Sequence, residues 1–469
     1  MALAATFQDR VRMHLSTDYL VVGAGLSGLA FADSLITHDP EAELVVVDRR
    51  TQPGGHWADV YPFVRLHSPS AYYGVDSMPL GSNRIDVDGP NAGLYERATA
   101  TELQTYFADV VEKLAATGRV RVLLGHENLD DGHLRDLATG EVHELEVRRR
   151  VVDAGYLEVS VPATHTPSFD IADDASFVPV HLLGDHVESS SYTVLGAGKT
   201  GVDAVLWLLD HDVDPERIRW VRPREAWFMD RARFQPLDLA VDSLEGFAAD
   251  AHAGATAKDQ DDLLGLLEDA GRLTRLDPTI PATMWRGAML NDHELQRART
   301  VTDVVRLGRV RRLERDRIVL DQGEVPTGGA LHIDCTAHGL RNAPPTPIFA
   351  DGRIVLQQVR HKTPPYNAAL LGFVEAKRDD DETKNRLCPP NHYTVGVDEW
   401  ARTVARTWRT EGSWRTEPDL QAWVAGTRLN LLASLPQHLG SERAQQALAR
   451  YVGHVGDAVA NLERIAAGS

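Results

Sequence analysis

Tyr19-Leu20-Val21-Val22 runs directly into Gly23-Ala24-Gly25-Leu26-Ser27-Gly28, and then into an apolar, alanine-rich segment from Leu29 to Ile36. A short apolar run, a glycine turn and a helix-forming run predict a buried strand, a tight turn and a helix. Each glycine has its own task. Gly23 permits the turn, Gly25 lets the backbone approach a pyrophosphate, and Gly28 lets the helix pack closely on the strand. The diphosphate would meet the free N–H groups of the helix N-terminus at Leu26 and Ser27, where the helix dipole favours negative charge.

The next apolar run, Leu44 to Val47, ends in Asp48, twenty positions beyond Gly28 and followed by Arg49. That is where an acid accepts hydrogen bonds from a ribose in a dinucleotide fold. Strand, turn, helix, strand and acid in register imply an adenine dinucleotide. Beyond it, Gln52-Pro53-Gly54-Gly55-His56-Trp57 breaks regular structure and leads into a loop dense in aromatic and polar residues that ends at Tyr72-Tyr73. Gly55, His56 and Trp57 are placed to lie along a planar ring system, because paired glycines allow backbone to approach one closely. Trp57, Tyr61, Tyr72 and Tyr73 could equally fill a core.

A second glycine motif starts after Tyr192-Thr193-Val194-Leu195, with Gly196-Ala197-Gly198-Lys199-Thr200-Gly201 preceding the helical run Val202 to Leu209. It repeats the physics of the first. The following strand, Ile218 to Val221, ends in Arg222, with Arg224 two residues on. Arginines where the first unit has an acid would attract a ribose 2'-phosphate, which favours NADPH over NADH. Lys199 could contact phosphate, although the loop lacks P-loop spacing.

Composition limits the alternatives. The chain has 469 residues, 43% of them hydrophobic and 25% charged, the profile of an ordinary globular protein with ample core. A net charge of −19 disfavours a nucleic-acid partner, which needs a basic face. Met1 to Thr17 lacks a signal-peptide core and no apolar run is long enough to span a membrane, so a cytoplasmic location is expected. The two cysteines, Cys335 and Cys388, form no CxxC pattern, which argues against a redox disulfide or zinc site, and no metal is expected.

The expected fold class is α/β, with two Rossmann-like units, a helical insertion and a helical C-terminal region. The first part of one domain would span 1–170. A nucleotide-binding domain would span 171–345, with a mainly helical insertion at about 225–300 that either lines a substrate cavity or forms a packing or dimer cap. Residues 346–469 would return to the first domain and continue as helices. Val301 to Val325 reads as a hairpin with a charged face, and Leu331 to Gly339 as a buried strand and turn.

The runs GAGLSGLAFADSL, VVVD, GGHW and YP resemble the FAD-binding half of the flavin-containing and Baeyer-Villiger monooxygenases. The resemblance covers the two dinucleotide units, about half the chain. It implies FAD at the first site and NADPH at the second. It further implies a flavin C4a-hydroperoxide that delivers one oxygen atom from molecular oxygen to a small organic substrate. Arg65 and His67 are then candidates for tuning the flavin ring. The exit after Gly155 and the segment Phe177 to His181 depart from the pattern of those families. Three other readings stay open: an FAD-dependent dehydrogenase or oxidase without oxygen insertion, an N-hydroxylating monooxygenase, and a redox-reporting binding protein. Oligomeric state is not specified, and a homo-oligomer is compatible with the sequence.

Overall fold

The computed structural model describes residues 14–468 apart from residues 131, 187, 338, 342, 394 and 395 and the side chain of residue 398. Most of the N-terminal segment and His338 thus lie outside the described residues. The first unit is built on β1 (His14–Val22), α1 (Leu26–His38), β2 (Leu44–Asp48), α2 (Ala100–Ala116) and β3 (Val120–Leu124). β1 lies between β2 and the strand Val142–Asp153, parallel to both, and β3 continues the sheet beyond β2. The long strand Val142–Asp153 begins as the second arm of a hairpin with His133–Asp136 and runs beside β1 to its end. On its far side it pairs with Arg353–Val355, so the chain returns to this sheet after the second unit.

Local chemistry fixes these elements. Thr99 and Glu102 form a reciprocal capping box at the start of α2, which satisfies two otherwise unpaired N–H groups. α1 packs against α7 (Pro364–Lys377), where a Cβ on Gly372 would lie 2.7 Å from the Phe31 carbonyl oxygen. Ser34 donates to the Ala369 carbonyl at 2.7 Å across the same seam.

The second unit is a parallel five-stranded sheet ordered Asp303–Val305, Ile218–Val221, Tyr192–Leu195, Leu331–Asp334, Phe177–Pro179. α3 (Lys199–Asp210) follows its central strand. The segment 301–325 therefore differs from a simple hairpin. Val304 and Val305 belong to the edge of the parallel sheet, and the antiparallel meander starts only at Val310. The stretch 225–300 carries α4 (Ala240–Thr256), α5 (Gln260–Asp269) and α6 (Asp292–Ala298), but also a three-stranded sheet of Glu225–Asp230, Leu273–Arg275 and Ala282–Leu290. Those strands escape a periodicity reading because both faces are covered, so Ala226 to Met229 and Met284 to Trp285 are apolar without alternation. The C-terminal part is helical: α8 (Asp381–Leu387), α9 (Trp400–Ser413), α10 (Pro418–Gly426) and α11 (Glu442–Ala467). Among the described residues no helix is long and apolar enough to cross a membrane.

Candidate active site

The carboxyl ends of β1, β2 and Val142–Asp153 open onto one cleft of about 600 Å³, the edge at which open parallel sheets bind ligands. Gly23, Gly25, Leu26, Ser27, Asp48, Arg49, Gly55 and His56 all line it. Gly23 has φ +117° and packs on Ala154, while a Cβ on Gly28 would sit 1.9 Å from the Gly23 carbonyl oxygen. Gly25 caps α1 without any side-chain hydrogen bond, so the helix presents its first N–H groups free of a capping side chain. The Gly54-Gly55 pair serves this loop directly. Gly54 N–H donates to the Ala24 carbonyl at 2.8 Å, and Gly54 has φ +101°, where a Cβ would strike Phe107.

Asp48 has a structural duty besides facing the cleft. Its carboxylate accepts from the backbone N–H of Ala24 and of Arg50, each at 2.8 Å, which braces the glycine loop against the end of β2. His56 is held neutral, because burial and the nearby Arg50 push its pKa down to about 4. Trp57 stands behind the cleft wall and donates to the Tyr73 hydroxyl at 2.8 Å, so it positions the loop.

At the second glycine motif, Gly196 has φ +126° and backs onto the Cys335 carbonyl, and Gly201 backs onto the Gly196 carbonyl. A Cβ on Gly198 would meet nothing within 4 Å, so this turn is open on its outer side. Thr200 is half-buried beside it. Lys199 is buried and its ammonium is turned inward onto Asp203, whose other oxygen accepts from the Tyr61 hydroxyl at 2.6 Å. A phosphate contact by Lys199 would require that pair to open.

The carboxyl ends of the neighbouring strands form a second cleft of about 580 Å³, lined by Arg222, Arg299, Arg306 and Asp277. Arg222 stacks 4.9 Å over Trp220, pairs with buried Glu225 at 3.4 Å, and leaves its Nε without a partner among the described residues. Arg224 is exposed, points to the Met284 sulfur at 3.8 Å and does not line this cleft. Arg306 lines the cleft where Arg224 was expected, 2.7 Å from Asp277 and 3.3 Å from Glu225. The sequence reading assigned Arg306 to a charged hairpin face. Its signal was there: Val304-Val305-Arg306 repeats the pattern Trp220-Val221-Arg222, and the two strands are parallel neighbours.

Neither Arg65 nor His67 lines the first cleft. Arg65 is exposed and donates to the Arg97 carbonyl at 3.3 Å. The backbone carbonyl of His67 accepts from Arg231 Nε at 2.8 Å, and its ring is held well below the usual histidine pKa by burial and by Lys199, Arg231 and Arg97. These groups belong to a buried network between the two units. In it Glu294 bonds Arg231 at 2.7 Å and Arg97 at 3.1 Å.

A separate cavity of about 200 Å³ lies between the 225–300 segment and the C-terminal helices. Phe234, Phe247, Trp285, Trp400 and Trp408 give it an aromatic lining, and His361, Lys362 and Thr363 form one wall. Pro364 and Asn367, directly after that wall, line the first cleft.

Two clefts at the edges of two Rossmann-like sheets suit an oxidoreductase that binds dinucleotides, and the profile of the NAD(P)-binding Rossmann-like domain matches residues 21–76. The chain is similar over part of its length to proteins named as FAD-containing monooxygenases. Over nearly its whole length the chain belongs to one family with the uncharacterized protein Rv2000 of Mycobacterium tuberculosis, 42% identical over 456 residues that cover 96% of this chain and 84% of that protein. MymA of the same species, named as an FAD-containing monooxygenase, is 34% identical over 207 residues, 41% of this chain and 39% of its own. The polycyclic ketone monooxygenase of Thermothelomyces thermophila shares the fold, with a TM-score of 0.53, 12% identity, and coverage of 98% of this chain and 89% of that one. The expectations of an α/β fold with two Rossmann-like units and of an NAD(P)H-dependent flavoprotein enzyme accord with these findings.

Proposed function

We propose that the protein is an FAD-dependent monooxygenase, reduced by NADPH, that transfers one atom of molecular oxygen to a small organic substrate. The observation that carries this reading is the arrangement of sites. A cleft with dinucleotide chemistry shares the 361–364 segment with an aromatic cavity, and a second cleft, rich in arginine, lies at the edge of the other sheet. The first cleft falls within the roughly 300–1,000 Å³ of ordinary ligand sites. Its uncapped helix N-terminus, its glycine turn and Ser27 suit the diphosphate of FAD. Asp48 keeps lone pairs for a ribose while it braces the loop.

Bound FAD would supply hydride acceptance and the chemistry of oxygen. The chain's own residues supply the rest. Arg222, with Arg306 beside it, would hold the 2'-phosphate of NADPH, and Arg222's unpaired Nε is the free donor for it. Neutral His56 leaves its part of the cleft wall without a positive charge, and the aromatic lining of the cavity would favour an apolar substrate over water. Both cysteines are buried and burial holds their thiols protonated, which supports electron flow without protein sulfur. Anaerobic titration with NADPH should bleach a yellow holoenzyme. With a turned-over substrate, labelled oxygen gas should leave one labelled atom in the product. Label found only in water or peroxide would support an oxidase instead.

A further inference from the structure

The polar side chains around the aromatic cavity are mostly paired with one another. Arg272 binds Asp250 through two nitrogens at 2.8 and 2.5 Å, and Arg360 binds Glu411 and, at 3.1 Å, Asn430. The Thr407 hydroxyl donates to the Thr403 carbonyl at 3.0 Å. Three consecutive residues break this rule. Both ring nitrogens of His361, the Nζ of Lys362 and the Oγ1 of Thr363 are shielded from solvent and have no hydrogen-bond partner among the described residues. Three unsatisfied polar side chains on one wall of a cavity is an expensive arrangement unless something else fills their valences.

The backbone commits these groups to the cavity. Lys362 has φ +60°, a left-handed conformation that costs a non-glycine residue free energy and persists only where its surroundings enforce it. Its N–H donates to Gln358 Oε1 at 3.0 Å, and the His361 N–H donates to the Thr407 hydroxyl at 3.1 Å. The lysine stem lies on Gly287, where a Cβ would come within 2.5 Å of Cδ and Cε, so glycine at 287 makes room for this side chain. Nζ then sits 4.4 Å from the ring centre of Tyr393, which lines the first cleft, and 5.8 Å from that of Trp285, which lines the cavity. Burial and the nearby Arg286 push the lysine pKa down to about 7, the response of a cation without a counter-ion.

We propose that His361, Lys362 and Thr363 are a specificity site for a carboxylate, so that the substrate is a compact aromatic acid with its ring among the tryptophans and its carboxylate on Lys362. A cavity of about 150 Å³ holds benzene, so about 200 Å³ accommodates one ring with a short side chain. The carboxylate provides the missing counter-ion and accepts hydrogen bonds from Nζ and from Thr363 Oγ1. The term substrate rests on the monooxygenase reading; the recognition itself does not, and it can be measured without turnover.

The test is calorimetric titration of the FAD-loaded enzyme with 3-phenylpropionate and with its neutral isostere 3-phenylpropanamide, for the wild type and for Lys362→Met. The acid should bind the wild type at least about tenfold more tightly than the amide, the effect of one hydrogen bond to a charged group. Lys362→Met should lose that preference, bind the amide as before and retain its flavin. Equal affinity for acid and amide in the wild type overturns the proposal, as does binding of neither. Unchanged acid binding by Lys362→Met also overturns it, and loss of flavin on that substitution would reassign the lysine to the cofactor. If the acid binds as expected but is never oxygenated, the carboxylate site stands and the monooxygenase reading falls.

Discussion

Arg222→Ala removes the guanidinium best placed for a 2'-phosphate. Arg222 is buried at the end of its strand and stacked on Trp220, so a phosphate bound there meets a preformed donor. A hydrogen bond between charged groups contributes about 1.5–3 kcal/mol, which is roughly 10- to 150-fold in affinity. The KM for NADPH should rise by about that factor while the KM for NADH changes less than about threefold, because NADH lacks the group being held. The substitution has a second consequence. Glu225, 1% exposed at its side chain, loses its 3.4 Å partner but keeps Arg306 at 3.3 Å and the Asp277 N–H at 3.3 Å. The stability loss should therefore fall short of the roughly 3–5 kcal/mol for a wholly orphaned buried charge. Adding Glu225→Gln should restore the melting temperature without restoring the preference for NADPH. Initial rates with both nucleotides, at fixed substrate and oxygen, give the comparison. Equal changes in the two KM values would refute the assignment of Arg222 to the 2'-phosphate.

Gly28→Ala forces a Cβ to within 1.9 Å of the Gly23 carbonyl oxygen; α1 must retreat, and purified protein should carry less than about a tenth of the wild-type flavin content, at a stability cost of about 1–3 kcal/mol. Glu294→Ala strands Arg231 and Arg97 in the buried network and should destabilise the fold by about 3–5 kcal/mol in urea unfolding. Because the arginines hold the Glu294 carboxyl below its unfolded value of 4.5, its contribution is full above that pH and is lost as pH falls further. His332, fully buried with both ring nitrogens unpaired among the described residues, has its pKa pushed down by burial from 6.5 to about 4. A depressed histidine means that the unfolded chain binds the proton first, so stability should fall as pH drops from 6.5 towards 4, by up to about 3 kcal/mol for this residue. His332→Leu should flatten the pH dependence of the unfolding midpoint in that window, and an unchanged slope would place the proton elsewhere.

The first unit was legible almost residue by residue, because Gly23 and Gly28 each answer a steric demand, and Asp48 falls in register. The second glycine motif was equally plain. What stayed hidden depends on which strands become neighbours. Arg306 gains its meaning only when Asp303–Val305 is seen to lie beside Ile218–Val221. Lys199 looked like a phosphate ligand until α3 placed Asp203 one turn away on the same face. Arg65 and His67 are close in sequence to the cleft-lining loop, yet the chain turns after Tyr61 and carries them towards Arg97 and Arg231. The 361–363 wall carries no sequence motif, since only the enclosure by the 225–300 segment and the C-terminal helices makes its unpaired groups visible.

The visible spectrum of the holoenzyme reports on both cofactors at once. It is recorded first under anaerobic NADPH, then after admission of labelled oxygen in the presence of a small aromatic substrate, with the product examined by mass. Bleaching of the flavin by NADPH and one labelled oxygen atom in the product are the expected results. A protein that cannot be loaded with FAD, or that is not reduced by NADPH, would contradict the assignment of the two clefts.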